Sequence, residues 1–398
     1  MKTCDFIVIG AGIVGIKIAM ELKQRFGGCI LVIEKEREVG LHASGRNSGV
    51  LHAGLYYTAD SFKARFCLKG NKELKDYCKE RGLPLNECGK VVVTKFQDEV
   101  EVLHKLMERG RRNGVHLRLL DEKELIDVEP HVRTVEKAIF LPDSAVVDPL
   151  SVLDSLYRDA VSMGVKFLFN TKWLGFHDSN VSKTTNGDFS WGYLVNCAGL
   201  YADWVAHEHG LAKEYFILPF RGQYYRLRDD RCNLVRGNVY PVPDLSTPFL
   251  GIHFTKTTGG RVIVGPTALP VLGREQYSGW RGMKLQDTLS MAGYLLHSFI
   301  KDNGQFRATA LSELQRLSKK KFYSEAKMLV PELESSDLIR EKLTGIRAQL
   351  IDKGKRELVS DFLIEKDERS IHILNAVSPA FTCSFPFARY VVDQIGLS

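Results

Sequence analysis

Several things are missing from this 398-residue chain, and each absence removes a class of protein. No apolar run reaches the roughly 18 to 20 residues of a membrane-spanning helix. The richest stretch, Phe6 to Leu22, is interrupted by glycines and Lys17. Asp5 argues against a secretory leader at the N-terminus. The eight cysteines, at 4, 29, 67, 78, 88, 197, 232 and 383, include no C-x-x-C and no local Cys/His cluster. No metal site is therefore expected, and the thiols read as reduced in a cytosolic chain. No compact arginine-aromatic stripe stands out, which weighs against nucleic acid. There is no internal repeat and no low-complexity linker, so two domains in this chain have to be interleaved in sequence.

What is present is globular. Hydrophobic residues make up 44% and charged residues 26%, enough for two closely packed domains. A formal charge of +7 and a pI near 8.8 suit an anionic substrate, an anionic cofactor or a membrane surface.

The strongest local signal lies in Asp5-Phe-Ile-Val-Ile-Gly10-Ala-Gly12-Ile-Val-Gly15. Phe6 to Ile9 is a short apolar, β-branched run of the kind a strand buried on both faces requires. G-x-G-x-x-G follows without a gap: Gly10 permits the turn, Gly12 lets backbone approach a pyrophosphate, and Gly15 lets the next helix pack closely. A second strand, Cys29 to Ile33, ends at Glu34, 24 residues after Gly10, where a carboxylate holds a ribose hydroxyl pair and disfavours a 2′-phosphate. FAD and NAD both use this fingerprint, and it occurs once, so one dinucleotide site is expected. The run from Gly40 to Tyr57 is dense in small and polar residues suited to contact with a flat, phosphate-bearing ligand.

Further along, the spacing predicts helices over 61–81, 97–113 and 148–163, and one opening at Asp121 and stopping at Pro130. Strands are expected at 88–94, 138–141, 145–147 and 165–169, with a hairpin or meander over 172–191 around Asn186-Gly187. Tyr193 to Gly199 is a buried strand ending in glycine, followed by a helix over 202–209; it offers a second backbone turn to a cofactor. From Phe216 the alternation in 224–227, 238–243, 249–254 and 261–265 predicts an antiparallel sheet. Residues 285–343 read as mostly helical, and the basic run 316–327 as a solvated helix face in preference to a membrane-docking patch. Short strands at 362–365 and 370–374 precede a helix to Ile395, with Ser378-Pro379 at its start and Pro386 inside it.

The fingerprint, the loop after Glu34, Asn196-Cys-Ala-Gly199 and the C-terminal return together resemble the FAD-dependent oxidoreductases of the D-amino-acid oxidase and glycerol-3-phosphate dehydrogenase superfamily. Within it, His42-x-Ser44-Gly-x-Asn47-Ser48-Gly49-Val-x-His52-Ala-Gly-x-Tyr-Tyr57, Pro219-Phe-Arg221-Gly, Tyr240-Pro-x-Pro243, Gly251-x-His253 and Asn375-Ala-x-Ser378-Pro379-Ala are similar to the L-2-hydroxyglutarate dehydrogenase/oxidase family. Val377 departs from the proline common there. The resemblance implies an α/β chain, α+β overall, with a Rossmann-like FAD-binding domain (1–88, 145–215 and 344–398). This is interleaved with an antiparallel-sheet substrate domain carrying helical insertions (89–144 and 216–343).

The implied chemistry is oxidation of L-2-hydroxyglutarate to 2-oxoglutarate on non-covalent FAD, with electrons passed to quinone or oxygen. The implied setting is cytoplasmic, free or peripheral on the inner face of a membrane. Cofactor contacts are then expected from Gly10, Gly12, Gly15, Glu34, Lys35, His42, Ser44, Asn47, Ser48, Gly49, Ala198, Gly199, Arg347, Ser378 and Pro379. Oxidising a hydroxy acid needs a base for the hydroxyl proton, and a histidine titrates near working pH. His52, in the loop expected beside the flavin and matching a histidine of related glycerol-phosphate oxidases, ranks first and His253 second. His104, His116, His207 and His209 read as packed or surface residues. Arg221, Arg347 and Arg274 are candidate carboxylate clamps, because guanidinium meets carboxylate bidentately. Tyr240 and Tyr57 either donate hydrogen bonds or wall the pocket. Two other readings stay open: a related flavoenzyme acting on glycerol phosphate, an amino acid or another 2-hydroxy acid, and a non-catalytic nucleotide-binding module.

Overall fold

The computed structural model describes residues 2–244, 250–300 and 306–396, which form two compact units. The first comprises Met1–Asn47, Pro149–Pro219 and Arg347–Ser398, and the second Ser48–Asp148 and Phe220–Ile346. Residues 48–88 and 145–148, expected with the nucleotide-binding part, therefore group with the second unit. The reason is packing: Ala53, Leu55 and Tyr56 share one core with Val92, Leu103, Leu106, Ile139 and Tyr240. Val50–Leu51 and Leu85–Asn86 both pair with Ala145–Val147 in a small three-stranded sheet.

In the first unit the strand Lys2–Ile9 lies between Gly187–Asn196 and Ile30–Ile33, parallel to both. Lys166–Leu168 continues the parallel set on one side and Ser370–Ile373 on the other. Ile7 and Val8 are fully buried, as the unbroken apolar run requires. The expected meander is present: Trp173–Asp178 and Val181–Thr184 lead antiparallel into Gly187–Asn196. Buried Ser182 accepts hydrogen bonds from two indoles, Trp173 Nε1 at 3.1 Å and Trp191 Nε1 at 3.0 Å. The helices Ile13–Phe26, Pro149–Ser162 and Ala380–Asp393 pack together, the last running through Pro386.

The second unit is built on a sheet with neighbouring strands Tyr215–Leu227, Val262–Gly265, His253–Lys256, Asn238–Pro241, Lys90–Val93, Lys137–Leu141 and Arg118–Asp121. It is mixed where a purely antiparallel sheet was expected, because Asn238–Pro241 runs parallel to Lys90–Val93. The strand expected over 249–254 is seen as His253–Lys256, and Phe249 lies outside the described residues. The predicted helical stretch divides into Leu285–Ile300, Phe306–Gln315 and Lys319–Leu329. It ends sooner than expected, since Leu338–Asp352 is a strand. Its Arg, Glu, Lys and Leu favour helix locally, but sheet pairing overrides so small a preference. Phe62–Glu80 and Glu99–Arg112 match the other helical predictions, and Ser61 caps the first by accepting from the Ala64 N–H at 3.1 Å.

Asp121 caps the short helix Glu122–Val128 as a reciprocal box: its carboxylate accepts from Lys123 and Glu124 N–H, and Glu124 accepts from Asp121 N–H. Asp121→Ala is expected to destabilise the chain by removing this cap. Urea denaturation checks this, with a lowered midpoint at unchanged slope as the expected outcome.

Candidate active site

The glycine turn has the geometry its spacing requires. Gly10 sits at φ 103°, and its N–H donates to the Ile33 carbonyl at 2.8 Å. A Cβ on Gly15 would stand 2.0 Å from the Gly10 carbonyl oxygen, so only glycine lets the helix come this close. Gly12 is the N-cap of Ile13–Phe26, whose first turn carries no acid, leaving the positive end of the helix dipole for an anion. Glu34 accepts from Ala11 N–H at 2.8 Å and Glu36 N–H at 3.0 Å, one through each oxygen. Its remaining lone pairs suit a pair of ribose hydroxyls.

The loop after Glu34 is tied to this turn. Ser44 Oγ accepts from the Ile13 N–H at 3.1 Å, and Asn47 Nδ2 donates to the carbonyls of Ser44 and Ala43 at 2.7 and 3.1 Å. Lys35 and His42 both meet the Glu36 carboxylate, His42 at 2.9 Å. Burial works against charge on Glu36, but these two hydrogen bonds outweigh it and hold the carboxyl below its usual range. Lys35 and His42 thus stiffen the loop around an acid that sequence inspection passed over.

The second turn, at Ala198 and Gly199, depends on residues that sequence inspection did not single out as a group. Asn196 Oδ1 accepts from the Ala198 N–H at 3.1 Å, while Nδ2 donates to the Ala202 carbonyl at 2.8 Å and to His372 Nδ1 at 3.0 Å. His372 Nε2 then donates to Ser370 Oγ at 2.9 Å, and Ser370 donates to Asp367 at 2.9 Å. Every bond has one possible direction, so His372 is the neutral Nε2–H tautomer. Burial, with His209 nearby, pushes its pKa down to about 3, consistent with that tautomer. The only sign in the sequence was that these polar residues stand in buried strands. Ser378 and Pro379 precede a second helix, Ala380–Asp393, which also has no acid in its first turn. Arg347 belongs to the first unit and is half-buried.

Ser48, Gly49, His52, Tyr57, Arg221, Tyr240, His253 and Arg274 belong to the second unit. One face of its sheet is closed by Val91, Val93, Val239, Phe254, Val262 and Val264, packed with Phe322, Ala326 and Leu329. The alternate positions on the other face include Tyr240 and His253. Their rings stack at 3.9 Å and 17°, because Val239 pairs with Phe254 and so sets Tyr240 beside His253. His253 Nδ1 donates to the Gly251 carbonyl at 2.8 Å, which makes Nε2 the nitrogen carrying the lone pair. His52 is buried, and its carbonyl accepts from Cys67 Sγ and Asn71 Nδ2, both at 3.2 Å. Gly49 is at φ 73° and its carbonyl accepts from Val147 N–H at 2.9 Å. The Tyr57 carbonyl accepts from Asn113 Nδ2 at 2.8 Å.

The arginines differ. Arg274 is ion-paired with Asp287 at 3.4 Å, so its charge already has an acidic partner. Arg221 donates from Nη1 to the Gln276 carbonyl at 3.3 Å, while its Nε is buried with no hydrogen-bond partner among the described residues. Burial, and then Arg340, lower its affinity for the proton. A guanidinium set this way is poised for an anion.

The FAD dependent oxidoreductase family model matches residues 5–394. The chain belongs to this family. Its cofactor is FAD, and the acid-free helix N-terminus with Glu34 beside it fits that group. The chain is 39% identical to the L-2-hydroxyglutarate dehydrogenase of Indibacter alkaliphilus, covering 97% of each chain. It is 34% identical to that of Escherichia coli K12 (98% of this chain, 93% of the relative) and 33% to the human mitochondrial enzyme (98% and 88%). Among solved structures, L-alpha-glycerophosphate oxidase from Mycoplasma pneumoniae is similar at TM-score 0.80 and 22% identity, covering 100% of this chain and 96% of that one. Glycine oxidase from Geobacillus kaustophilus follows the same fold at TM-score 0.73 and 18% identity, covering 99% and 95%. The family assignment makes the chain an FAD-dependent enzyme with a small-molecule substrate and an electron acceptor.

A Cβ on Gly12 would meet Ser44 Oγ at 3.0 Å, in front of the helix N-terminus. Gly12→Val is expected to fold but to hold little FAD, measured as the ratio of flavin to protein absorbance after purification. Full occupancy in the folded variant would refute the assignment of this turn to the pyrophosphate.

Proposed function

We propose that this chain oxidises L-2-hydroxyglutarate to 2-oxoglutarate. The observation that carries the proposal is full-length similarity, at 33 to 39% identity, to relatives bearing that dehydrogenase name. Bound FAD supplies the hydride acceptor. The chain's own residues have three tasks: to hold a dianion, orient its hydroxyl-bearing carbon and take up the hydroxyl proton. Arg221, half-buried with an unpartnered Nε and no acidic partner among the described residues, suits a substrate carboxylate. Arg347 is the proposed second clamp. His253 has its tautomer set by the Gly251 carbonyl, which leaves Nε2 able to accept a proton, and His52 is the alternative base. Tyr240, stacked on His253, holds that imidazole in one plane.

For the electron acceptor we favour a quinone reached from a membrane surface. No helix among the described residues is long and apolar enough to cross a membrane. Helix Leu285–Ile300 nevertheless exposes Leu285, Leu289 and Leu296 at 78, 64 and 62%, and Trp280 just before it at 82%. Leucines spaced by four and seven residues lie on one face, as in an interfacial helix, and Lys319 and Lys320 add exposed positive charge. A Leu285→Glu/Leu289→Glu double variant is expected to lose co-sedimentation with anionic vesicles while keeping anaerobic flavin reduction. Undiminished vesicle binding would remove this surface from the proposal.

His52→Ala and His253→Ala separate the two bases. The true base variant should retain FAD while its reduction by L-2-hydroxyglutarate in stopped flow slows by about 10²- to 10⁴-fold. Near-wild-type rates in both would exclude a histidine base. Wild-type enzyme should prefer L-2-hydroxyglutarate to lactate by orders of magnitude in kcat/KM, since an unpaired buried charge costs roughly 2 to 5 kcal/mol. Arg221→Ala should narrow that gap if Arg221 holds the distal carboxylate. Equal turnover of lactate and the diacid by the wild type would eliminate the two-clamp reading.

A further inference from the structure

Lys90 opens the run Lys90–Val93, a strand buried along its whole length, and it is itself only 1% exposed. Among the described residues no hydrogen bond or salt bridge answers its ammonium. Its surroundings are instead two aromatic rings, Tyr56 and Tyr240, each with its centroid 4.8 Å from Nζ. The Tyr56 hydroxyl is also buried without a hydrogen-bond partner among those residues. The groups known to face Lys90 are Tyr56 from the loop after Val50–Leu51, Tyr240 from the neighbouring strand and Cys67 from the helix Phe62–Glu80, and none is acidic. An apolar side chain would fill this position at far lower cost, because a buried ammonium gives up its hydration.

The placement of this charge suggests why it is there. His253 covers one face of Tyr240 at 3.9 Å, which leaves the opposite face to the ammonium. The imidazole of His253 is therefore one residue removed from Lys90. Cys67, from the helix Phe62–Glu80, donates to the backbone carbonyl of His52. Cation–π attraction fixes the ring plane of Tyr240, and a charge surrounded by low-dielectric side chains acts on anions beyond its contact shell.

We propose that Lys90 is a positioning residue for the substrate: it locks Tyr240, and with it His253, and supplies the positive charge that draws an anionic substrate to this face of the sheet. This rests on the proposed oxidation of a hydroxy acid. Burial lowers Lys90 to about 8, so its charge is expected to be lost as pH rises through that value. Affinity for an anion should be full below it and fall above it.

The test uses FAD-loaded protein and glutarate, a diacid with no hydroxyl to oxidise, followed through the flavin spectrum from about pH 6 to about pH 10. Wild type should bind glutarate with a loss of affinity centred near the Lys90 transition. Lys90→Met, which keeps the aliphatic stem, should bind at least roughly tenfold more weakly at neutral pH and show no such step; Lys90→Arg should restore affinity and remove the step. Wild-type affinity and pH profile in Lys90→Met would overturn the proposal. Should neither variant load FAD, a flat wild-type profile would overturn it equally. Failure of L-2-hydroxyglutarate to reduce a wild type that binds glutarate with this profile would reject the substrate and leave Lys90 in its role.

Discussion

Everything in the first unit depends on how closely a helix can approach the turn before it. With a Cβ on Gly15 the distance to the Gly10 carbonyl would be 2.0 Å, so any other residue would lift the helix away. Because it is not lifted, the N-terminus of Ile13–Phe26 stays beside Glu34 and Ser44, which accept from Ala11 and Ile13 N–H. Backbone N–H groups and the helix dipole then give this end a preference for an anion. The second turn is held by a different means: Asn196, His372, Ser370 and Asp367 pass hydrogen bonds in one direction, each member satisfied. Such a network is rigid because breaking one link strands a buried polar group.

The second unit shows the opposite economy. Its sheet has one face closed by aliphatic residues, while the other carries stacked Tyr240 and His253. Two cations, half-buried Arg221 and fully buried Lys90, have no acid set against them among the described residues, unlike Arg274 and Arg316, which are ion-paired with Asp287 and with Glu313 and Glu325. Buried charge left uncompensated disfavours the empty protein and favours an anionic ligand, which suits a dicarboxylate substrate.

Legibility differed between the two. The turn geometry at Gly10, Gly12 and Gly15 and the place of Glu34 beside it were readable because they arise within about thirty residues of chain and rest on backbone conformation. The first helices and the Asp121 cap were readable for the same reason. Leu338–Asp352 was not: its composition suits a helix, and only strand pairing decides otherwise. Lys90 drew no notice, since a lysine at the head of an apolar run is ordinarily a strand end in solvent.

The sequence alone therefore determined the glycine turn, the acid after it and the alternation of strands in the second unit, all set by contacts between near neighbours. Tertiary structure decided which nitrogen of His253 bears a lone pair, which arginine already has an acid, and that Lys90 lies between two tyrosine rings. These are properties of strand register and burial. They join residues as far apart as Asn196 and His372, and no local preference in the chain records them.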